Sequence, residues 1–212
     1  MMNKRDGQTR PDAGGPASCW SCRGPVDPRA LFCHPCGSIP PSRPVDHFAR
    51  LAVRRDYDLK TVDLERQYFG FQRRFHPDRF AAKSATEKAH SLQHATSLNE
   101  AYETLKSPLG RARYLLELLG RPVIEEDQTT SDPVLLAEAL EMRQALAEAP
   151  DAAAVAAIAA DAEAKIADCQ TALSAAFATD DLDTAMELTL RLTYLDKFVQ
   201  ECKSQGEHPG PA

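Results

Sequence analysis

Four cysteines form two pairs near the N-terminus of the 212-residue chain, Cys19 with Cys22 and Cys33 with Cys36. Each CxxC turn places two thiolates on one side of a tight loop, and two such loops can close a tetrahedral site that suits Zn²⁺. A segment this short cannot bury a core of its own, so a bound metal would supply folding free energy on the order of 10 kcal/mol. The sequence therefore predicts a structural zinc knuckle with these four cysteines as ligands.

Other uses of the four thiols stay open from spacing alone. The same thiolates could ligate an iron–sulfur cluster, or the pairs could be redox-active dithiols or unstructured cysteines. A zinc-dependent enzyme is disfavoured, because four cysteines in one tetrahedral site leave no open position for a substrate. Cys169 and Cys202 fall on apolar stripes of predicted helices, so we expect them to be core thiols rather than ligands.

A second cluster of polar groups is the tripeptide His76-Pro77-Asp78, here called the HPD turn. Pro77 disfavours the α conformation of the residue before it, so a helix that starts near Thr61 is predicted to end at Phe75 or His76. The turn would then present an imidazole and a carboxylate that are separated by one rigid residue.

The helix before this turn is basic. Residues 54–83 hold eight Lys/Arg against five Asp/Glu, a local charge of +3, whereas the whole chain carries −6. Arg66 and Arg73 lie opposite the apolar stripe of that helix, which favours docking to an acidic partner surface. A turn that merely caps a helix is the alternative. An enzymatic acid–base pair is disfavoured, because the sequence implies neither a nucleophile nor a pocket.

Apolar residues recur at helical spacing through most of the chain after residue 45 and predict buried stripes on the helices. The stripes are Leu64, Tyr68, Phe71 and Phe75 before the HPD turn, Ala95, Leu98, Tyr102 and Leu105 after it, and Leu135, Ala139, Met142 and Leu146 on the first helix of the bundle. Ser84 with Glu87 is a capping-box signature, and Gly120 with Pro122 is typical of a helix end. We predict an all-α fold, in which a helical hairpin and an antiparallel three-helix bundle follow the small zinc knuckle. The predicted segments are a mobile tail 1–18, the knuckle and Pro-rich spacer 19–44, the hairpin domain 45–122, the bundle 123–205 and a tail 206–212.

Composition excludes several classes of function. No run of roughly 18 apolar residues is present, so a membrane-spanning protein is not expected. A pI of about 5.5 disfavours nucleic acid as the main partner. The first 18 residues are rich in Gly, Pro and Asp, and they lack both an apolar signal region and an amphipathic Arg/Ser-rich pattern. We therefore predict a cytoplasmic location, with the mitochondrial matrix as the alternative.

The segment around the HPD turn resembles the J-domain, a module that activates ATP hydrolysis by DnaK-class chaperones. The resemblance rests on the tripeptide between two antiparallel helices and on Asn99-Glu100-Ala101-Tyr102 after it. Ser107-Pro108-Leu109 follows, and the string from Arg111 to Gly120 is similar to the HscB-type co-chaperones of iron–sulfur cluster assembly. The resemblance spans Asp46 to about Lys203, and the CWxC…CxxC prefix is similar to the metal-binding extension of some members.

This resemblance implies two binding sites. The HPD turn would contact the ATPase machinery of a DnaK/HscA-class chaperone, with Arg66 and Arg73 supplying electrostatic docking. The bundle would bind an IscU-type iron–sulfur scaffold protein through a second set of residues. That set is Leu136, Leu140, Glu141, Arg143 and Tyr194.

Two observations on the bundle bear on the second site. Leu136, Leu140 and Tyr194 point away from the predicted buried stripes, which indicates either a protein-binding surface or packing against the hairpin domain. Ala137 and Gln144 depart from the pattern of the family, which implies weaker scaffold binding or a different partner. The sequence thus predicts a non-enzymatic co-chaperone for the scaffold protein, with other client proteins as the alternative.

Overall fold

The computed structural model describes residues 17–27, 30–123 and 133–207. These residues are almost entirely helical, which confirms the all-α fold class. Their helices are α1 (His47–Arg50), α2 (Thr61–Phe75), α3 (Ala85–Lys106), α4 (Pro108–Leu118), α5 (Pro133–Ala147), α6 (Ala152–Ala178) and α7 (Leu182–Glu207). Two short strands, β1 (Ala17–Ser18) and β2 (Pro25–Val26), pair antiparallel. Most of both predicted tails lies outside the described residues, as do residues 28–29 and 124–132.

Local sequence signals set the ends of the hairpin helices. Helix α2 ends at Phe75, as Pro77 predicts. At the start of α3, the Ser84 Oγ accepts a hydrogen bond from the Glu87 N–H at 3.3 Å, and the Glu87 carboxylate accepts one from the Ser84 N–H at 3.2 Å. The predicted capping box is therefore confirmed, with two amides of the first turn satisfied by side chains.

Helix α4 has equally local boundaries. Ser107 caps it by accepting a hydrogen bond from the Gly110 N–H at 3.1 Å, and Pro108 occupies the first turn. Gly120 follows the helix with φ +74°, a left-handed conformation that glycine adopts without steric cost. The Arg121 N–H returns to the Leu116 carbonyl at 2.8 Å, so the predicted stop at Gly120 is confirmed.

Packing divides the chain into two compact units. Of the described residues, one unit contains those up to Pro44 together with Phe71–Ser97, and the other contains Val45–Gly70 together with those from Leu98 onward. Helices α2 and α3 each contribute residues to both units. The units follow packing alone, and the domain limits named above stay a prediction.

Helices α2 and α3 run antiparallel. Tyr68 donates a hydrogen bond to Asn99 Oδ1 at 2.9 Å and stacks on Tyr102 at 4.1 Å between ring centroids. Nearer the turn, Phe75 stacks on His94 at 4.3 Å. Later residues of α2 thus meet earlier residues of α3, as in the predicted hairpin. Of the predicted stripes, Leu64, Tyr68, Phe75, Leu98 and Leu105 are buried, whereas Phe71, Ala95 and Tyr102 are half-buried.

The last three helices form the predicted antiparallel bundle. Helix α6 runs opposite to α7, since the Cys169 thiol bonds the Leu188 carbonyl and Glu163 pairs with Lys203 at 3.4 Å. Helix α5 runs parallel to α7, since it pairs with α7 through Glu138 and Arg191 near its start and through Leu146 and Gln205 near its end. The predicted stripe of α5 (Leu135, Ala139, Met142 and Leu146) is buried, and Cys169 and Cys202 are buried as predicted.

Arg111 is a charged residue in the core that the sequence did not indicate. Its side chain is buried, the Nε donates to the Leu105 carbonyl at 2.9 Å, and a terminal nitrogen donates to the Tyr57 carbonyl at 2.6 Å. The guanidinium also lies 5.7 Å from the centre of the Tyr57 ring. These contacts connect α4 with the segment ahead of α2. Among the helices described, none has the length and apolar character to cross a bilayer.

Candidate functional site

The HPD turn lies between two buried aromatic residues. Helix α2 ends at Phe75, and a short 3-10 helix covers Pro77–Phe80. Phe75 and Phe80 are both buried, whereas the side chains of His76 and Asp78 are 50% and 90% exposed. The chain is therefore anchored on each side of the turn, while the imidazole and the carboxylate face solvent.

The imidazole of His76 has a defined role inside the turn. Its Nδ1 accepts a hydrogen bond from the Asp78 N–H at 3.3 Å and thereby caps the 3-10 helix. Because Nδ1 acts as the acceptor, the neutral ring carries its proton on Nε2. Nδ1 also lies 3.6 Å from the Asp78 carboxylate. The capping role and a binding role are compatible, since capping uses one ring nitrogen and leaves the other as a donor.

The basic residues of α2 that were predicted to assist docking are exposed. Arg66 lies 3.1 Å from Asp63, one turn earlier on the same helix. Arg73 is exposed as well, and its carbonyl accepts a weak hydrogen bond from Arg79 at 3.5 Å. Arg79 follows Asp78 directly and is a further exposed cation beside the turn, which the sequence analysis did not single out. Lone exposed pairs such as Arg66–Asp63 contribute little stability and can open for a partner.

A second group of predicted residues lies on α5 and α7. Leu136 and Leu140 are 51% and 69% exposed, so packing against the hairpin domain does not account for these two leucines. They are four residues apart and share one face of α5. Glu141, next to Leu140, is exposed as well. An exposed apolar pair of this kind is typical of a protein-binding surface.

The structure brings Arg143 and Tyr194 together. The guanidinium of Arg143 lies 5.4 Å from the centre of the Tyr194 ring, and its Nε lies 3.8 Å from the Glu201 carboxylate. The Tyr194 hydroxyl donates to the Ala139 carbonyl at 3.2 Å. This hydrogen bond fixes the ring between α5 and α7, and the ring in turn positions the guanidinium. The pair adds an aromatic ring and a cation beside the two leucines of α5.

The four predicted ligand cysteines converge on one point. Their Sγ atoms all lie within 4.8 Å of one another. The distance is 3.7 Å from Cys19 to Cys36 and 3.7 Å from Cys22 to Cys33. Ligands at 2.3 Å from a tetrahedral zinc ion lie about 3.8 Å apart, so the donor set fits one four-coordinate metal ion. The residues present therefore fit a site for one metal ion.

Both CxxC loops have the same backbone geometry. In the first, the Arg23 N–H donates to the Cys19 carbonyl at 2.9 Å, and Arg23 has φ +59°. In the second, the Gly37 N–H donates to the Cys33 carbonyl at 2.7 Å, and Gly37 has φ +71°. Each loop thus needs a left-handed residue directly after its second cysteine. Glycine meets this need in one loop, whereas the other loop holds an arginine in a disfavoured conformation.

Ser38 supports the thiolate forms of two ligands. Its hydroxyl is buried and lies 3.2 Å from the Sγ atoms of both Cys19 and Cys36. Hydrogen bonding from this hydroxyl is the largest cause that lowers the pKa of Cys19 to about 6, and it lowers the pKa of Cys36 as well. Thiolates bind metal, so Ser38 favours the ligating state. A serine two residues after a CxxC pair carries no distinctive sequence signal, and this role depends on the folded loop.

Comparison with known proteins adds to this geometry. Residues 131–203 match the family described as the HSCB C-terminal oligomerisation domain. The iron–sulfur cluster co-chaperone protein HscB of Homo sapiens is 34% identical over 189 residues, which cover 87% of this chain and 80% of that protein. The co-chaperone protein HscB homolog of Paraburkholderia phymatum is 34% identical over 168 residues, which cover 76% of this chain and 94% of that protein.

Solved structures show the same likeness. The crystal structure of human co-chaperone protein HscB has a TM-score of 0.84 at 34% sequence identity, over 89% of this chain and 98% of that chain. The Jac1 co-chaperone from Saccharomyces cerevisiae has a TM-score of 0.60 at 26% identity, over 71% of this chain and 86% of that chain. The likeness therefore extends over most of the length of each protein.

Proposed function

This chain belongs to the HscB family of iron–sulfur cluster co-chaperones, and we propose that it delivers an IscU-type scaffold protein to a DnaK/HscA-class chaperone and stimulates the ATPase of that chaperone. The hydrolysis takes place in the partner. The observation that carries the proposal is the HPD turn, with His76 and Asp78 in solvent between the buried Phe75 and Phe80.

The proposed mechanism has two parts. Binding of the scaffold to the bundle and of the chaperone to the HPD turn brings client and ATPase together, which raises their effective concentration. Contact of His76, Pro77 and Asp78 with the chaperone favours its hydrolysis-competent state, which requires tighter binding to that state than to the others. Arg66 and Arg73 attract an acidic surface of the chaperone and increase the rate of encounter.

The proposed scaffold surface consists of the exposed leucines of α5 with the neighbouring polar residues. Leu136 and Leu140 supply apolar anchors, and the stacked Arg143 and Tyr194 add a cation and an aromatic ring. Apolar and aromatic anchors of this type dominate the free energy of many interfaces. Glu141 extends the surface with a carboxylate.

Two residues beside this surface depart from the pattern of the family, which supports a second candidate function. Ala137 and Gln144 are exposed, and Gln144 donates to Glu148 at 2.9 Å on the same helix. Compared with the pattern of the family, the surface therefore has less apolar area at residue 137 and lacks a charge at residue 144. A J-domain co-chaperone for other client proteins is the second candidate function.

We propose zinc as the metal of the four cysteines. Thiolates that bind different irons of a cluster lie farther apart than thiolates on a single ion. The 3.7 Å spacings and the 4.8 Å limit therefore support one ion rather than a cluster. When bound, zinc would neutralise the thiolates and supply folding free energy. The four cysteines of this site form no disulfide, which supports a reducing compartment. We propose the cytoplasm, with the mitochondrial matrix as the alternative.

The first experiment measures ATP hydrolysis by a DnaK/HscA-class chaperone with and without this protein and the scaffold. We expect stimulation by the parent protein and a loss of about 10-fold or more with Asp78→Asn, since the carboxylate is removed without a change of shape. Asp161→Asn is the matched control, because it neutralises an exposed carboxylate on α6. Unchanged stimulation by Asp78→Asn would show that the HPD turn has another role.

The second experiment measures binding of the scaffold by titration calorimetry. The Leu136→Ala/Leu140→Ala double variant should weaken binding by about 10- to 100-fold, because both apolar anchors are lost. Leu119→Ala is the matched control, since it shortens an exposed leucine that follows α4. No binding by the parent protein, combined with intact ATPase stimulation, would favour the second candidate function.

A further inference from the structure

We infer that the cysteine module, defined as residues 19–44, is a positioning element for the HPD turn, and that Phe32 and His94 are its positioning residues. This inference rests on the proposed function, since it concerns how the turn is prepared for the chaperone. A metal knuckle is usually interpreted as an independent folding unit or a docking surface. Here its contacts lead to the residue that directly precedes His76.

That residue is Phe75, at the end of α2. Its ring stacks on Phe32 of the cysteine module at 5.6 Å and on His94 of α3 at 4.3 Å between ring centroids. Its carbonyl accepts a hydrogen bond from the buried Ser91 hydroxyl at 2.7 Å. The last carbonyls of a helix have no partner within the helix, and helix ends fray easily. Phe75 is therefore held by its side chain and by its backbone where α2 would otherwise loosen.

Two carbonyls of the cysteine module accept three hydrogen bonds, and two of these come from α3. The Ile39 carbonyl accepts from the Trp20 indole N–H at 2.8 Å and from His90 Nδ1 at 3.0 Å. The Pro40 carbonyl accepts from His94 Nε2 at 3.0 Å. A carbonyl can only accept, so both imidazoles carry a proton on the nitrogen that makes the contact. His90 and His94 are one helical turn apart, and both face the module.

These contacts arise close to the metal ligands. Trp20 lies between Cys19 and Cys22, and its ring also contacts His90 edge-on at 5.3 Å. Ile39, which is fully buried, follows Cys36 by three residues. The backbone that the metal would hold in place is thus the backbone that carries the acceptors for α3. One connected set of contacts thus runs from the four cysteines through α3 to Phe75.

The expected consequence concerns binding rather than the hydrolysis step. A turn that is ordered before it meets the chaperone does not lose that conformational freedom on binding. If the ordered fraction of the HPD turn falls to about one fifth, the concentration that gives half-maximal stimulation rises about fivefold, and the maximal rate is kept.

The test uses Phe32→Ala in the full-length protein, which keeps all four cysteines. We expect one metal ion per chain, about tenfold faster hydrogen exchange at the amides of residues 76–81, and unchanged exchange in α6 and α7. Half-maximal stimulation of the chaperone should shift about fivefold to higher concentration at an unchanged maximum. Phe32→Tyr should restore both values, because a tyrosine ring can make the same stack. His34→Ala removes an exposed ring of the same module and is the matched control.

A second variant covers the case in which Phe32→Ala loses its metal. His94→Gln removes the ring beside Phe75 from the α3 side and leaves the cysteine module unchanged in sequence, and the same shifts are expected. Hydrogen exchange at the parental rate at residues 76–81 in both variants would overturn the inference. Faster exchange without a change in the concentration that gives half-maximal stimulation would overturn it as well. A parent protein that stimulates no chaperone would contradict the proposed function, whereas the exchange data would still decide whether the module orders the turn.

Discussion

The cysteine module and the C-terminal bundle are stabilised by different interactions. One apolar cluster of the module consists of Cys19, Val26 and Cys33, with Ala30 against it, and two of these residues belong to the four-cysteine site. The bundle instead buries long stripes on three helices, and Leu173, Leu192 and Leu195 are almost completely buried. We therefore expect the module to depend on a bound metal for stability, whereas the bundle depends on buried apolar area.

This difference also separates what each region can do. A metal-held loop is small, and its order can be set by one ion, so it suits the positioning of a nearby turn. A bundle of three helices with a buried core keeps its shape when surface residues change, so it suits the display of an exposed patch such as Leu136 and Leu140. Variants in one region should accordingly leave the other region unchanged.

Loss of one ligand should give the largest effect. Cys33→Ser removes a buried thiolate, and we expect loss of the bound metal and of the order of the module, since metal binding contributes on the order of 10 kcal/mol. Metal analysis and hydrogen exchange measure both changes. Cys169→Ser, in the bundle, is the control and should keep the metal. If the metal-free module kept its slow hydrogen exchange, or if exchange became faster in α6 and α7, the two regions would not be stabilised in different ways.

A cavity in the bundle should give the next largest effect. Leu173 on α6 is fully buried, so Leu173→Ala should lower the free energy of unfolding by about 3 kcal/mol. Urea denaturation followed by circular dichroism measures this change, and the metal content should stay at one ion per chain. Leu140→Ala, on the exposed face of α5, should cost less than about 0.5 kcal/mol. Equal costs for the two variants would show that the stripe is not the core.

Glu138 connects the three helices of the bundle through ion pairs. Its carboxylate lies 2.8 Å from Arg191 and 3.3 Å from Lys165. Burial raises the pKa of Glu138, but Arg191 and Lys165 lower it more, so the net shift is downward. A lowered carboxyl pKa stabilises the folded state above the unfolded value of about 4.3, and this contribution is lost as the pH falls through the folded pKa.

Glu138→Gln should therefore cost about 1 kcal/mol at pH 7 and remove that part of the pH dependence. Urea titrations at pH 7 and at about pH 3 measure the difference between variant and parent. The control Glu163→Gln breaks an exposed pair with Lys203 and should have a smaller effect. A variant that keeps the parental pH profile would show that other carboxylates control it.

The smallest effect is expected at the left-handed residues of the two CxxC loops. Arg23→Gly should stabilise the module by about 0.5–1 kcal/mol, because glycine adopts the positive φ of 59° without a steric penalty. Slower metal loss to a chelator measures this gain. Gly37→Ala at the equivalent position should destabilise the module instead. A Cβ there would meet no atom within 4 Å, so the cost comes from the φ of +71°, which alanine disfavours. Faster loss with Arg23→Gly would show that the arginine has a binding role.

Helix boundaries and metal ligands were predictable because the interactions that determine them are local. The end of α2 follows from Pro77, the start of α3 from Ser84 and Glu87, and the end of α4 from Gly120. The CxxC spacing places two thiols on one loop whatever the rest of the chain does. The exposed face of α5 follows from helical periodicity, since Leu136 and Leu140 fall off the stripe that fills the core.

Each of the remaining features depends on at least one partner that is far away in sequence. Arg111 is buried because the Leu105 and Tyr57 carbonyls receive its N–H groups, and Ser38 acts on two thiols because both CxxC loops fold around it. The sequence by itself determined the helices, each CxxC pair and the HPD turn, since each needs only residues within one or two helical turns. Only the tertiary structure placed Phe32 and His94 beside Phe75, because these contacts join residues about 40 and about 20 positions apart that no periodicity relates.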